Sequence, residues 1–475
     1  MYGGLLKSTS AVAMLAAAGL FANASAADLG GDCCADLEER VAELESTTVR
    51  KGNRKVSLKI SGFVGSQVMY WDDGTQSDTY VGMDGGNIFS RWRFTGSAKI
   101  SPEITAGFTY EFGLNRHSIS GANQGNGSLL NGSGAGDDGG ECTNSCIRDT
   151  TVWLRHARLG MVKIGQGSTA TDNLILIDLG QKGVGSTPDS ALYNGSFALR
   201  GNNGQFAGNG STVLNWGQAI RGHESFDTSR RNHVLYETPT IFGFTAQAAI
   251  AEDNFWDVAL RYAGEFGGFR FAAGVGYQED GEFNAPNGAA GSGIAAGNYT
   301  VICNNNCDVT SKEVKGSASL LHVPTGLFVT GAGGQRQLDG RWDPGVYNSD
   351  YAGPDLTWWY VSGGISKNFF GVGKTVLYGE YLDSKGGLEQ SAFLSTVNNN
   401  GYAVNQTNTG RSSSEVQMWG VGVTQYLDAA AMELFATYKN YSLDASGFTN
   451  EPALNKNSGG VSDFSTVIVG TKINF

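Results

Sequence analysis

ITAGFTYEFGLN, residues 104–115, alternates without a break. Ile104, Ala106, Phe108, Tyr110, Phe112 and Leu114 fall on one side of an extended chain, and Thr105, Gly107, Thr109, Glu111, Gly113 and Asn115 on the other. Successive side chains of a strand point to opposite faces, so a period of two residues with one apolar, aromatic face marks a half-buried β-strand. The segment before it follows the same rule. From Ile88 to Ile100, Trp92, Phe94, Ala98 and Ile100 oppose Arg91, Arg93, Thr95, Ser97 and Lys99. A soluble core would not bury such charges unpaired. The aromatic face therefore meets an apolar medium and the charged face meets water.

The alternation extends in both directions. Trp256, Val258, Leu260 and Tyr262 oppose Asp257, Ala259 and Arg261, and Phe269, Phe271, Ala273, Val275 and Tyr277 oppose Arg270, Gly274 and Gln278. Leu58, Ile60, Val64, Val68 and Tyr70 open the pattern, and Val467, Val469, Ile473 and Phe475 close it. About sixteen such segments are centred near residues 63, 94, 109, 153, 164, 234, 247, 260, 273, 317, 331, 362, 378, 420, 436 and 470. Short links (101–103, 266–268, 323–326, 427–430) alternate with long Gly/Asn/Asp/Ser-rich ones near 72–87, 116–148, 168–229, 279–311, 336–356, 384–414 and 443–463.

Composition agrees with a strand-rich body outside the usual soluble range. The 475 residues include 70 glycines, and 16% are charged, which is Gly-rich and charge-poor for a soluble enzyme. The formal charge of −12, with no basic stripe, excludes nucleic acid as a partner. At the start, Lys7, the apolar run Ala11–Ala22 and the small residues Ala24, Ser25 and Ala26 read as a secretory signal peptide over residues 1–26. No later segment approaches the roughly 18 consecutive apolar residues of a spanning helix. In lipid only helices and closed barrels satisfy every backbone group.

The expected fold is therefore all-β: a transmembrane antiparallel β-barrel of about sixteen strands over residues 56–475, with short periplasmic turns and long outer loops. A soluble β-sandwich or propeller is the competing reading. A periplasmic stub over 27–55 precedes the barrel. In it Cys34, Leu37, Val41, Leu44 and Thr48 follow the 3-4 spacing of a short coiled coil, with a lone amphipathic helix or an unstructured leader as alternatives.

The cysteines fall as Cys33 and Cys34, Cys142 and Cys146, and Cys303 and Cys307. In an oxidising compartment the two C-x3-C pairs read as local disulfides in outer loops. A four-thiolate metal site is the alternative, but no histidine lies near, and no metal or other cofactor is expected. The five histidines are scattered, no Ser/His/Asp spacing is identifiable, and no catalytic residue is assigned.

At RNHVLYETPTIFGFTAQAAI (231–250), RYAGEFGGFRFAAGVGY (261–277), KTVLYGEYLD (374–383) and the terminal Phe475 the chain resembles general Gram-negative porins, nearest the alphaproteobacterial group. The resemblance implies an outer-membrane homotrimer in contact with lipid and lipopolysaccharide, passing small hydrophilic solutes and ions by passive diffusion. It implies a third long loop, here 168–229, folded inward as a constriction, and an assembly signal at Phe475. Acids on that loop would face a basic arc on the wall. The candidate acids are Asp172, Asp178 and Asp189, and the candidate arc is Arg91, Arg93, Lys163, Arg231, Arg261 and Arg270. An arginine facing mid-bilayer lipid instead would cost roughly 2–4 kcal/mol. A solvated loop acid, or an arginine at the rim, is the competing reading of each.

Two further readings stand beside the passive pore. One is a sugar- or peptide-selective channel with an aromatic slide at Trp358, Trp359 and Tyr360, whose alternative role is as membrane-girdle aromatics. The other, more distant, is a barrel-embedded hydrolase. If arc and loop acids nearly cancel, the acidic outer loops tip the pore toward weak cation preference, which is the expectation. If the acids stay out of the lumen, the arc stands alone and the pore prefers anions.

Overall fold

The computed structural model describes residues 56–83, 90–114, 119–125, 146–209, 212–222, 224–228, 230–252, 254–281, 307–342, 349–352, 354–391, 412–448, 454 and 460–475. The leader, the stub, Cys33, Cys34, Cys142 and Cys303 lie outside these residues, as do the side chains of Cys146 and Cys307.

The strands are β1 (Ser57–Asp72), β2 (Ser77–Met83), β3 (Ser90–Lys99), β4 (Ile104–Leu114), β5 (Cys146–His156), β6 (Gly160–Gly167), β7 (Gly208–Asn209), β8 (Thr212–Val213), β9 (Arg231–Glu237) and β10 (Phe244–Ala251). They continue as β11 (Trp256–Phe266), β12 (Phe269–Asp280), β13 (Cys307–His322), β14 (Leu327–Trp342), β15 (Ser349–Ala352), β16 (Leu356–Lys367), β17 (Thr375–Lys385), β18 (Ser413–Leu427), β19 (Met432–Ser446) and β20 (Phe464–Asn474). Sixteen of them close a barrel. Each pairs antiparallel with its neighbour in chain order, skipping β2, β7, β8 and β15, and β20 returns to β1 from Phe63↔Asn474 to Asp72↔Ser465. β2 and β15 pair with the ends of β1 and β14 that β3 and β16 leave, and β7 and β8 form a separate hairpin. All sixteen expected strand centres fall on barrel strands. No described helix is long and apolar enough to cross a membrane.

Closure leaves no sheet edge, and the period of two then sorts side chains into lipid-facing and lumen-facing sets. On β1, Val64, Val68 and Tyr70 are exposed while Phe63, Gln67, Met69 and Trp71 are buried inside. Outward aromatics pair across strands, as Trp359 with Tyr381, Trp419 with Tyr438 and Trp256 with Tyr277, each with ring centroids 5.2 Å apart. Such pairs are the material of an interfacial girdle. Both ends of the barrel chain meet at the short-turn rim, where the Gly62 N–H donates to the Phe475 carbonyl at 2.9 Å and the Phe475 N–H to Gly62 at 3.1 Å.

The two sides of the barrel differ in height. β3 to β6, β9 and β10 have 7–11 residues, whereas β13 and β14 have 16 each. The connection from β6 to β9, residues 168–230, does not stand above the rim. It turns into the lumen and packs on the inner wall.

Candidate pore constriction

The inward loop is held by polar groups of the wall, one strand after another. At its root, Asp257 of β11 accepts from Ala170 N (3.2 Å), Thr171 N (2.8 Å) and Thr171 Oγ1 (2.7 Å). Ser317 Oγ of β13 donates to the Leu174 carbonyl at 2.6 Å, and Leu179 N donates to Ser319 Oγ at 3.0 Å. Lys182 Nζ donates to Ser362 Oγ of β16 at 2.6 Å, and Thr424 of β18 donates to the Lys182 carbonyl at 2.6 Å. Ser186 reaches Glu380 of β17 at 2.6 Å, and Glu380 is also paired with Lys439 of β19, both side chains 0% exposed.

Apolar packing then fixes the far turn of the loop. Phe197 lies 5.0 Å from Trp71 and 4.8 Å from Phe464, and Trp216 lies 5.9 Å from Tyr441. The short helix Trp216–Arg221 starts with a capping box between Asn215 and Gln218. The return path is fastened by Arg336 of β14, which donates to the carbonyls of Arg221, Glu224 and Ser225 at 3.0, 3.1 and 2.6 Å. Phe226 stacks on Trp358 at 4.3 Å. The loop thus lines the inside of the wall from β11 round to β20, with its root on Lys163 of β6.

On the wall of β3 to β5 three guanidinium groups meet one carboxylate. Arg91 Nη1 and Arg148 Nε each donate to Glu111 Oε1 at 3.1 Å, and Arg93 Nε donates to Glu111 Oε2 at 2.5 Å. Glu111 is 2% exposed while Arg93 is 46% exposed, so the acid is sealed behind a charge that meets water. Arg230 adds a fourth positive charge within electrostatic reach of Arg91 and Glu111. Phe63 of β1 carries Arg91 over its ring at 4.8 Å and Lys472 at 4.9 Å, extending the basic line onto β20.

The remaining expected arc residues are placed elsewhere. Lys163 Nζ donates to the Ser168 carbonyl at 2.9 Å, and Arg261 Nη2 donates to the carbonyls of Ala170 (2.8 Å) and Asp172 (3.0 Å), so both hold the loop root. Arg231 pairs with Asp280 at 2.5 Å, and Arg270 with Glu265 at 2.7 Å near the β11–β12 turn. Of the loop acids, Asp172 and Asp189 are buried, and the Asp178 side chain is 21% exposed. Asp178 accepts from Gly180 N (3.0 Å) and Lys182 N (2.8 Å), and Asp189, 1% exposed, accepts from Arg221 (2.9 Å) and Ser225 (2.6 Å). Asp172 is 6% exposed, and its Oδ2 accepts no hydrogen bond among the described residues.

Arg148 is absent from the sequence-based arc for a geometric reason. Glu111 pairs with Asp149 and Phe112 with Ile147, so Arg148 is the extra residue of a β-bulge that turns it inward. Glu111 itself was legible as the polar neighbour of Tyr110. Trp358 and Tyr360 face inward but lie beneath Phe226 and Ser186, and Trp359 faces out. No described group of three or more His, Cys, Asp or Glu side chains could hold a metal ion.

The sequence profile of the family described as Gram-negative porin matches residues 10–457. The chain belongs to that family. It is similar in fold to the anion-selective porin from Comamonas acidovorans, with 17% identity, 88% of this chain and 100% of that one covered, and a TM-score of 0.50. The OmpF complex of Salmonella typhi with daunomycin is similar at 13% identity over 89% of this chain and 98% of that one, with a TM-score of 0.48. No curated protein matches the chain. The protein is an outer-membrane porin, a channel for passive diffusion.

Proposed function

We propose that small hydrophilic solutes and ions cross between the inward loop and the wall of β3 to β5, and that this passage prefers anions. The observation that carries the reading is the cluster of Arg91, Arg93 and Arg148 on the single carboxylate of Glu111. Weak cation preference required Asp172, Asp178 and Asp189 to face the lumen, but their carboxylates are turned into the loop and its partners. Outer-loop acids beyond the Debye length of about 8 Å steer arriving ions but barely alter the barrier inside. The net field of the passage is therefore positive. A reversal potential across a planar bilayer in a salt gradient tests this, and cation preference would overturn it.

The same proposal takes the working unit to be a trimer joined through the short wall. Its support is chemical: outward Trp92, Val152, Leu154, Val162, Ile164 and Val234 form an uncharged, exposed face. Conductance arriving in steps of three is the expected record. Single, independent steps would mean that the copies act alone.

A further inference from the structure

Beside the short wall, on β11 to β14, the lipid-facing surface is hollowed. A groove of about 610 Å³ is lined by Leu260, Tyr262, Ala273, Gly316, Ala318 and Gly331. Register explains its shape, because Ala273 stands beside Ala318 and Ala318 beside Gly331, three strands offering small residues at one level. Aromatic rings form the banks. Tyr262 packs on Phe244 at 4.7 Å on one side, and Trp359 on Tyr381 at 5.2 Å on the other.

A Cβ at Gly316 would meet the Gly274 carbonyl oxygen at 2.6 Å, but nothing inside the chain requires a glycine at 331. A Cβ at lumen-facing Gly422 would meet the Tyr378 ring at 2.3 Å, and one at Gly470 the Phe435 ring at 2.5 Å. A Cβ at Gly331 would meet only the Tyr360 carbonyl oxygen, at an ordinary 3.8 Å, and the backbone there is extended. Glycine weakens a strand, so its position here fits a surface shaped for something outside the chain.

The position of the groove selects the occupant. Gly331 is four residues above Leu327, where β14 leaves the short turn, or about 10 Å along the membrane normal at the usual strand rise and tilt. That depth lies in the periplasmic half of an apolar band about 25 Å tall. The neighbouring surface is the lipid face of an outer-membrane barrel, so acyl chains already abut it. Lys367, exposed at the end of β16 and on the same outward side as Trp359 and Val361, supplies a cation at phosphate height. A second copy fits less well, because burying this wall would desolvate the exposed Lys312–Asp339 and Lys385–Glu415 pairs at its outer end.

We propose that the groove binds one phospholipid of the periplasmic leaflet, with an acyl chain along Ala318 and Gly331 and the phosphate at Lys367. Native mass spectrometry of the detergent-purified protein titrated with dioleoyl phosphatidylglycerol tests it. The wild-type protein should take up one lipid per chain saturably. Gly331→Leu and Ala318→Leu each fill the groove where about two methylenes of the chain would lie, and should weaken uptake about tenfold. Lys367→Gln should weaken it about threefold, the scale of one interfacial charge. Heat-modifiable gel migration reports folding, and either leucine variant alone suffices if the other misfolds. No saturable uptake by the wild type would overturn the proposal, as would unchanged uptake in a folded leucine variant. A leucine variant that loses its oligomer while keeping its lipid would assign the groove to a second copy instead.

Discussion

One half of the inner wall is packed beneath the loop, and the other gathers an arginine cluster whose Arg93 is exposed. From β11 to β20 inward polar groups such as Asp257, Ser317, Glu380 and Lys439 spend their hydrogen bonds on the loop or on each other. From β3 to β5 the arginines converge on one carboxylate and leave Arg93 in contact with water. The same residue types therefore do different jobs. Beneath the loop a charge holds the constriction in place, and opposite it a charge acts on the permeating ion.

The largest effect should come from breaking the covered side. Glu380→Ala would leave Lys439 buried without its carboxylate, at a cost of about 3–5 kcal/mol. Denaturant unfolding in detergent should show that loss, accompanied by larger or noisier single-channel conductance as the loop loosens. Replacing both partners by leucine and methionine should recover most of the stability, since an apolar pair of similar volume removes the stranded charge. A Glu380→Ala protein of unchanged stability would mean that water reaches this side, and the contrast between the halves would fail.

The arginine side is tested by ion preference. A lumenal charge about 5 Å from the ion path changes the barrier by about 0.8 kcal/mol at the dielectric of water, or about fourfold in permeability. Arg91→Gln with Arg93→Gln should therefore lower the chloride-to-potassium permeability ratio by upwards of about tenfold, since each charge acts in opposite senses on the two ions, and reversal potentials read this directly. The control comes from the loop. Asp189→Asn should leave the reversal potential unchanged while lowering stability, because Asp189 is buried against Arg221 and Ser225. A shift toward anions in that variant would place Asp189 at the lumen.

The halves also differ in how far they could be read from the sequence. Strand parity was legible because lipid and water impose a period of two, and it sets Arg91, Arg93 and Glu111, which meet in the structure, apart from Trp92, Phe94 and Tyr110. Arg148 was hidden because a bulge shifts parity by one residue, and no local pattern marks that bulge. On the covered side the partners are far apart in sequence. Glu380 and Lys439 lie 59 residues apart, and Asp257 is 86 residues from Thr171. The loop acids looked like pore groups because sequence shows their charge but not the backbone N–H groups and Arg221 that occupy it.

The smallest effect concerns the seam where the loop passes from the covered half toward the outer rim. There Asp73, just beyond β1, accepts from Arg200 Nε at 2.8 Å, from the N–H groups of Gln76 (2.7 Å) and Thr75 (3.0 Å), and from the Gln124 amide at 3.2 Å. Burial alone pushes this carboxyl up, but Arg200, the two backbone N–H groups and Gln124 outweigh it and hold Asp73 below the ordinary aspartate value. A depressed carboxylate contributes stability above its unfolded pKa of about 3.9, and that contribution disappears as pH falls through the lower folded value. With solvent screening the latch is worth about 1 kcal/mol or less. Asp73→Asn should therefore be slightly less stable than the wild type at neutral pH, and the gap should close in acid once the pH falls below the lowered folded value, where the wild-type carboxyl is protonated as well. Paired unfolding curves at the two pH values measure it. A gap that persists in acid would show that Asp73 acts through its shape and neutral hydrogen bonds, and the seam would then belong to the packed half rather than the charged one.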